Sequence, residues 1–291
     1  MSETSSSKQS GYDVAIAYRV YPGVSKTPFI HRTDKRALAE LGVASLRRSL
    51  GHVRAKVWAI LDGCPDDYEQ MMLRYFDAAD LVILRSTAKS NAVTFSMQID
   101  LLLEQTDADI VYFAEDDYLY RADSFAPMLD ILRERTDIDF ATPYDHLDYY
   151  THPVHPPTAR ILTHGETYWR TATSTCLTFA TRKATLRETQ HVFRTFIQNN
   201  YDTSIWFALC KSTVWNPFMF LRSGMDILWL AKTFVKAWLF TPAQLLFGRR
   251  RTLVAPMPSI ATHAEITGIA PAVDWQRVVE ETERYIAAKR V

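Results

Sequence analysis

Short apolar segments alternate with longer amphipathic ones through the first 115 residues, and this alternation limits the fold more than any other feature of the chain. Apolar segments of strand length lie at 14–18, 56–61, 81–84 and 109–114. Segments with helix-starting residues and helical periodicity lie between them, at 35–50, 65–78 and 91–105. Strands that alternate with helices require right-handed crossovers, so the sequence predicts an α/β fold with a mostly parallel central sheet flanked by helices.

Composition excludes several other classes. The 291 residues are 47% hydrophobic and 12% aromatic, which is enough to bury the core of a globular protein. The 33 basic residues balance 33 acidic ones, so charge gives no reason to expect a nucleic acid partner. The 3 cysteines form no CxxC pair, which indicates reduced thiols and a cytoplasmic setting. Residues 1–11 are polar and lack an apolar h-region, which predicts a disordered terminus without a signal peptide.

Polar and charged residues stand at the carboxyl ends of the predicted strands. In open parallel sheets these ends meet at one edge, and ligands bind beyond it. The residues brought together in this way are Tyr18, Arg19, Asp62, Arg85, Glu115, Asp116 and Asp117. The sequence therefore predicts a ligand pocket with this rim.

The fourth strand ends in three consecutive carboxylates, Glu115, Asp116 and Asp117. Carboxylates crowded in a partly buried site raise one another's pKa unless a cation compensates them. Oxygen ligands suit Mg²⁺ or Mn²⁺, ions that also bind the diphosphate of a nucleotide. The trio therefore predicts a divalent metal with a diphosphate ligand; the alternative is a solvated turn after the strand.

This trio at the end of a fourth alternating strand resembles the DxD-type motif of GT-A nucleotide-sugar glycosyltransferases, as an EDD variant in a family 2-like chain. The resemblance implies a Rossmann-like GT-A fold with a nucleotide-sugar-binding half at 12–125 and an acceptor-binding half at 126–275. It also implies that Asp117 is the metal ligand and that Asp116 or Glu115 contacts the ribose and donor sugar. A terminal amphipathic helix is expected at 276–291.

The same resemblance implies further contacts with the nucleotide. Asp62 stands where such enzymes place an acid against the nucleobase, and a carboxylate that accepts the imide N–H of uracil favours UDP; a turn-forming Asp-Gly pair is the alternative. Arg85, Lys89 and Asn91 follow the third strand, where the family's loop meets the nucleotide. Exposed loop cations are common, and the chain lacks the family's glycine-rich version of this loop.

Candidates for catalysis lie in the second half. Asp202 begins a predicted helix at the position where inverting members of the family carry the catalytic base, although an N-cap role also explains it. Glu166 is the reserve candidate, and Trp169 is expected to offer an apolar platform to an acceptor sugar. His263 resembles the C-terminal histidine that family members direct at the metal, while a structural role is the alternative.

Residues 226–247 form a segment rich in Trp, Phe and Leu with two lysines, followed by three arginines. It is too short and too charged for a membrane span, and it fits an interfacial helix whose arginines meet anionic head groups. The alternative is a core or oligomer-interface helix. The histidine-containing stretch at 144–157 matches no zinc motif and is expected to be an ordered loop.

Together these observations favour a metal-dependent hexosyltransferase that uses a nucleotide-diphosphate sugar, with Mn²⁺ or Mg²⁺, and inverts at a glycan or lipid-linked acceptor. The alternatives are a nucleotidyltransferase and a non-catalytic carbohydrate-binding protein of the same fold. A nucleotidyltransferase normally carries a glycine-rich basic loop after the first strand, which the residues at 17–23 match poorly. The expected location is the cytoplasm, and it is the cytoplasmic face of the membrane if the 226–247 segment binds lipid. If that segment is instead an oligomer interface, a homodimer is expected.

Overall fold

The computed structural model describes residues 11–23, 27–152, 155, 159–211, 214–215 and 227–290. The predicted disordered terminus, apart from Gly11, lies outside these residues. So do position 226, the first residue of the apolar segment, and parts of the 144–157 loop.

The described residues form eleven strands and ten α-helices. The strands are β1 (Val14–Val20), β2 (Ala55–Asp62), β3 (Leu81–Ser86), β4 (Ile110–Glu115), β5 (Tyr118–Tyr120), β6 (Phe140–Ala141), β7 (Ile161–His164), β8 (Thr167–Ala172), β9 (Phe179–Arg182), β10 (Leu253–Met257) and β11 (Ala261–His263). The helices are α1 (Lys35–Leu50), α2 (Asp67–Tyr75), α3 (Asn91–Glu104), α4 (Ala126–Glu134), α5 (Asp148–Thr151), α6 (Lys183–Phe193), α7 (Asp202–Cys210), α8 (Ile227–Phe240), α9 (Pro242–Leu246) and α10 (Trp275–Lys289).

Nine of the described strands form one sheet, in the order β3-β2-β1-β4-β9-β6-β10-β8-β7. The first four of these pair in parallel, and so do β6 and β10. Strands β9 and β8 pair antiparallel with their neighbours, so the other seven strands of this sheet run in one direction. The predicted α/β class, with a mostly parallel central sheet flanked by helices, is confirmed.

Strand β1 shows how the sequence builds the core. All seven of its residues are buried, as expected for a strand covered on both faces. Val14, Ile16 and Tyr18 belong to one apolar cluster, which includes buried residues of α1, α2, α4 and α10. Ala15 and Ala17 point to the other face, where α3, α6 and α7 pack.

The predicted helix starts in the first half are present. The Asp34 side chain accepts a hydrogen bond from the Ala37 N–H at 2.9 Å and caps α1, as the sequence predicts. Gly42 lies in the middle of this helix, where an added Cβ would stand 3.0 Å from the carbonyl oxygen of Asp116. Helix α1 therefore passes close to the backbone at the end of β4.

The second half departs from the predicted elements in two places. Residues 168–180, whose content of threonine and aromatic residues predicts one strand, contain an irregular loop at 173–178 that separates β8 from β9. The apolar segment expected at 226–247 is divided by Thr241 and Pro242 into α8 and α9, because proline cannot continue the helix hydrogen bonding. Among the described helices, none combines the length and apolarity needed to span a bilayer.

Candidate functional site

The three carboxylates after β4 take three different partners. Glu115 pairs with Arg19 of β1 through one oxygen, and its other oxygen accepts a hydrogen bond from the Thr178 hydroxyl at 2.9 Å. Asp116 faces Lys35 at the start of α1. Asp117 faces His263 at the end of β11. The motif therefore connects β1, α1, β11 and the 173–178 loop at the carboxyl edge of the sheet.

Asp116 is buried, and both of its carboxylate oxygens accept hydrogen bonds from the protein. Its Oδ1 accepts from Lys35 Nζ at 2.9 Å and its Oδ2 accepts from the backbone N–H of Tyr21 at 3.0 Å. Only 6% of the residue is exposed. A contact with ribose or sugar, as the sequence predicts for Asp116 or Glu115, would require these two hydrogen bonds to be shared or released.

Asp117 and His263 meet directly. Asp117 Oδ2 lies 3.1 Å from His263 Nε2, and the His263 ring packs edge-on against Tyr118, with ring centroids 5.1 Å apart. The remaining oxygen, Asp117 Oδ1, is buried and accepts no hydrogen bond from the described residues. A carboxylate oxygen left in this way is suited to a positively charged ligand.

The two aspartates differ in their ionisation. Burial raises the pKa of Asp116 against the attraction of Lys35, and the charge on Asp117 raises it further. Burial also opposes the ionisation of Asp117, but the charges of His263, Lys35 and Arg19 outweigh it and lower the pKa of Asp117 below its ordinary value. Asp117 is therefore the more acidic member of the pair.

The residues present fit a divalent metal ion. Asp117 and His263 would hold such an ion, since a carboxylate oxygen and a neutral imidazole nitrogen are common metal ligands and the two groups lie 3.1 Å apart. The described residues hold no cluster of three or more His, Cys, Asp or Glu side chains arranged for a metal. Mg²⁺ is commonly bound by one or two protein ligands together with substrate phosphates, so a two-residue site is chemically sufficient.

Asp62 holds the loop that precedes α3. Its oxygens accept from the backbone N–H groups of Lys89 and Ser90, at 2.9 and 3.1 Å, and the residue is 2% exposed. The structure therefore gives Asp62 a loop-fixing position. Contact with a nucleobase would require the 89–90 segment to move.

The other predicted nucleotide contacts are only partly brought together. Arg85 pairs with Asp66, directly before α2, and with Glu69 of α2, each at 2.9 Å. The side chains of Lys89 and Asn91 are exposed at the start of α3, and the Asn91 carbonyl accepts from Arg19 at 2.9 Å. Tyr18 is fully buried, so it offers no surface to a ligand.

A cavity of about 260 Å³ opens at the start of α7, where Asp202 is the first helical residue. Its described lining combines carboxylates, histidines and small polar side chains with one indole ring: His146, Asp148, Tyr149, His152, His155, Ser174, Thr175, Cys176, Asp202, Thr203 and Trp229. Asp202 Oδ1 accepts from the backbone N–H of Thr203 at 2.6 Å. The predicted base thus lies at a helix start and also lines a cavity.

Two sets of contacts connect this cavity to the acidic trio. The 173–178 loop supplies Ser174, Thr175 and Cys176 to the cavity wall, and its Thr178 donates to Glu115. A row of aromatic contacts runs from His263 through Tyr118 and Tyr144 to His146, with centroid separations of 5.1, 5.8 and 4.7 Å. The trio and the Asp202 cavity are therefore neighbouring parts of one region.

Glu166 and Trp169 do not join this region. Glu166 is exposed in the turn between β7 and β8, at the edge of the sheet farthest from β3. Trp169 is fully buried in the core, so in this conformation its ring cannot serve as the expected platform for a sugar ring. The hydrophobicity of the indole, which suggested a ligand platform, is used for packing.

Sequence reasoning missed several residues of the region. Lys35 lies within the predicted helix at 35–50, and its place directly after the Asp34 cap, where α1 begins beside the strand ends, is the signal that could identify it. The histidines of the 144–157 loop match no zinc motif in their spacing, yet they line the Asp202 cavity. Thr178 carries no sequence signal that distinguishes it from other threonines near a strand.

Comparison with known proteins finds only structures of low sequence identity to this chain. No family model matches the chain, and no curated protein matches it. Among solved structures, a protein described as a nucleotide-diphospho-sugar transferase of Desulfovibrio desulfuricans aligns at 12% identity and a TM-score of 0.43, over 79% of this chain and 98% of that one. A CMP:2-keto-3-deoxy-manno-octonic acid synthetase aligns at 12% identity and a TM-score of 0.40, over 95% and 99% of the two chains.

A cytidylyltransferase of Leptospira borgpetersenii aligns at 12% identity and a TM-score of 0.36, over 62% of this chain. This chain spans 64% of that protein's length. Similarity at this level does not define an activity, so the assignment of function depends on the geometry of the region itself.

Proposed function

We propose that this protein is a nucleotide-sugar-dependent glycosyltransferase that moves a hexose from a nucleotide diphosphate, UDP being favoured, to a hydroxyl of a glycan or a lipid-linked glycan. One observation carries the proposal. Asp117, held ionised beside His263 at the end of β4, has a buried oxygen to which no described residue donates, and it neighbours the cavity lined by Asp202. The aromatic row from His263 to His146 and the 173–178 loop then connect a proposed diphosphate site to a proposed acceptor site.

On the donor side, the residues that would hold a divalent ion are Asp117 and His263. Such an ion, Mn²⁺ or Mg²⁺, supplies Lewis-acid stabilisation of the negative charge that develops on the departing nucleotide diphosphate. The basic residues nearest the trio, Arg19 and Lys35, fix the positions of Glu115 and Asp116. Arg19 and Lys35 therefore hold the site in place, and Asp117 provides the negative charge that would bind the metal ion.

On the acceptor side, Asp202 is the proposed general base. An acceptor hydroxyl becomes a stronger nucleophile as its proton passes to a nearby carboxylate, and Asp202 Oδ2 would take that proton. The hydrogen bond from the Thr203 N–H to Oδ1 holds the carboxylate at the start of α7. A direct displacement assisted in this way inverts the configuration at the anomeric carbon.

A nucleotidyltransferase is the main rival, because such an enzyme also needs acids and a metal on an α/β sheet. It requires cationic groups that can meet the triphosphate of the nucleotide. Arg19 and Lys35, the cations nearest the trio, are both paired with carboxylates and less than a tenth exposed. This arrangement favours glycosyl transfer over nucleotidyl transfer.

We also propose that α8 contacts an anionic membrane surface. Its outward stripe consists of Leu228, Lys232, Val235 and Leu239, and the three apolar members are 73%, 59% and 68% exposed. Phe247, after α9, is 87% exposed, and Arg249 and Arg250 follow it. Apolar side chains bordered by cations match the acyl boundary and head groups of an anionic bilayer.

Vesicle flotation tests the membrane contact. The wild-type protein is expected to float with vesicles that contain phosphatidylglycerol and not with pure phosphatidylcholine vesicles, while the V235E/L239E double variant stays unbound. Equal flotation of the two proteins would contradict the proposal. A concentration-dependent dimer that the double variant abolishes would assign the stripe to a second copy of the chain instead.

A thermal-shift panel tests the transferase proposal. A ligand that binds only the folded state raises the melting temperature by mass action. A nucleoside diphosphate is expected to raise it only with Mn²⁺, and the D117N variant should lose this shift. D137N is the matched control, because Asp137 is about half exposed and pairs with Arg135 away from the site. A shift that is unchanged in D117N would refute the donor site, and pyrophosphate release from a nucleoside triphosphate would favour the rival activity.

A further inference from the structure

A second cavity, of about 430 Å³, adjoins the Asp202 cavity and is lined by four arginines. The arginines are Arg160, Arg170, Arg250 and Arg251. Tyr149 and His155 line both cavities, so the two share a wall. None of the described residues that line the larger cavity is acidic.

The arginines provide hydrogen-bond donors that the described residues do not fully use. Arg170 is 7% exposed and Arg251 is 9% exposed, and the Nε of each is buried without a hydrogen-bond partner among the described residues. A guanidinium group donates and cannot accept, so a partner for these N–H groups must present acceptor atoms. A buried donor without a partner is costly, which makes a bound ligand the natural resolution.

Carboxylates behind the cavity wall compensate part of this charge. Arg251 donates to Asp139 at 3.0 Å and to Glu188 at 2.8 Å, and Asp137 lies 3.5 Å from Arg160. Arg170 instead stacks over the Tyr150 ring, 4.4 Å from its centroid. Arg250 is exposed and donates its Nε to the Cys210 carbonyl at 3.0 Å. Among the described residues, Asp137 is the only ion-pair partner of Arg160 and the terminal nitrogens of Arg250 have none, so both arginines keep donors for an anion.

We propose that this arginine cavity binds a phosphoryl group of the acceptor. Guanidinium groups bind phosphate through paired, charge-assisted hydrogen bonds, and several guanidinium groups in one cavity suit a multiply charged anion. Helix α7 carries Asp202 at its start and Cys210 at its end, about 12 Å apart at 1.5 Å per residue. The phosphoryl group thus belongs to a part of the acceptor remote from the attacking hydroxyl.

The assignment of this phosphoryl group to the acceptor rests on the proposed function, whereas the binding of an anion in the cavity does not. Isothermal titration of the 291-residue protein with inorganic pyrophosphate in metal-free buffer, beside a separate titration with UDP and Mn²⁺, separates the two. Wild-type protein is expected to bind pyrophosphate, and R160Q/R250Q to bind it at least tenfold more weakly. D117N should bind pyrophosphate as wild type does, because Asp117 lies on the donor side.

R277Q is the matched control, since Arg277 is 75% exposed on α10. Both altered arginines of the test variant are exposed, and circular dichroism establishes that it is folded; R160Q alone repeats the measurement with one change. Absence of pyrophosphate binding, equal binding by R160Q/R250Q and wild type, or an equal loss in D117N would each overturn the anion site. If UDP and Mn²⁺ do not bind while pyrophosphate binding still depends on Arg160 and Arg250, the transferase proposal fails and the anion site stands.

Further ligands identify the carrier of the phosphoryl group. Glucose 1-phosphate presents it on a sugar, and farnesyl diphosphate presents it on a lipid. If R160Q/R250Q selectively loses binding of one of these two ligands, the result supports the proposal and identifies the carrier. Glucuronate is the carboxylate comparison, and binding of glucuronate as tight as that of the phosphorylated ligands would refute the phosphoryl assignment.

Discussion

Lys35 and Asp116 form a buried ion pair at the end of β4, with Lys35 Nζ 2.9 Å from Asp116 Oδ1 and the two side chains 8% and 9% exposed. The same carboxylate accepts from the Tyr21 N–H. The middle acid of the trio therefore joins the start of α1 and the segment after β1 to the end of β4. Its neighbour Asp117 instead pairs with His263 of β11.

Replacing Lys35 with methionine should destabilise the protein strongly. Removal of one partner leaves a buried carboxylate without its cation, which typically costs about 3–5 kcal/mol. The free energy of unfolding, measured by urea denaturation, checks this. R277M is the control, because the Arg277–Glu281 pair lies on the exposed face of α10 and should contribute little to stability. Equal losses of stability in the two variants would show that the buried Lys35–Asp116 pair contributes no more than an exposed pair.

Replacing Asp202 with asparagine should remove catalysis and leave nucleotide binding intact. Asparagine keeps an oxygen for the Thr203 N–H but cannot take a proton, so a fall in kcat of about 10²–10⁴-fold is expected. D148N is the matched control, since Asp148 lines the same cavity. Unchanged turnover in D202N, measured by nucleoside diphosphate release, would exclude Asp202 as the base.

Replacing Asp62 with alanine should affect stability more than base preference. The change removes two hydrogen bonds that a carboxylate accepts from the 89–90 backbone, at a cost of about 1–3 kcal/mol. Urea denaturation measures the loss, and nucleotide titrations measure the preference between UDP and other nucleoside diphosphates. A variant of normal stability that no longer distinguishes the bases would restore the predicted nucleobase contact.

His155 should make stability depend on pH in mildly acid solution. Burial, with the nearby charges of His146, His152 and Arg170, lowers the pKa of His155 from 6.5 to about 3. Between these values the unfolded chain binds a proton that the native protein does not, so stability falls as pH falls below about 6.5 and this loss ends near pH 3.

The H155Q variant tests this dependence. Between pH 7.5 and pH 4.5 it should lose about 1–3 kcal/mol less stability than wild type, measured by denaturation at each pH. Parallel curves for the two proteins would show that His155 does not titrate in this way.

Much of the first half could be predicted because its signals are local. The apolar runs of β1 to β4, the Asp34 cap and the strand-helix alternation each depend on a few neighbouring residues, and together they fix a parallel sheet. The order of those strands then places Arg19 and Glu115 side by side, as the rule for strand ends predicts. The meeting of Asp117 with a histidine at 263 came from the family resemblance, and the two side chains lie in contact.

The remaining features depend on contacts between distant segments. Strand β6 has only two residues and pairs with β9 and β10, so no periodicity marks it. The burial of Trp169 follows from its antiparallel neighbour Pro256, which lies 87 positions later in the chain. The histidines of the 144–157 loop gain their position from a cavity that α7 and α8 help to build. Sequence patterns do not report such packing.

Gly42 shows how the acidic trio constrains a residue far from it in sequence. A glycine inside a helix lowers helix stability by about 1 kcal/mol relative to alanine, so alanine would be the usual choice of a protein engineer. Here a methyl group would press on the carbonyl oxygens of Asp116 and Tyr118, at 3.0 and 3.3 Å, and on the Tyr18 hydroxyl at 3.2 Å. Thermostabilisation by the standard glycine-to-alanine exchange would thus shift the turn that presents Asp117, and position 42 should be left out of any such library.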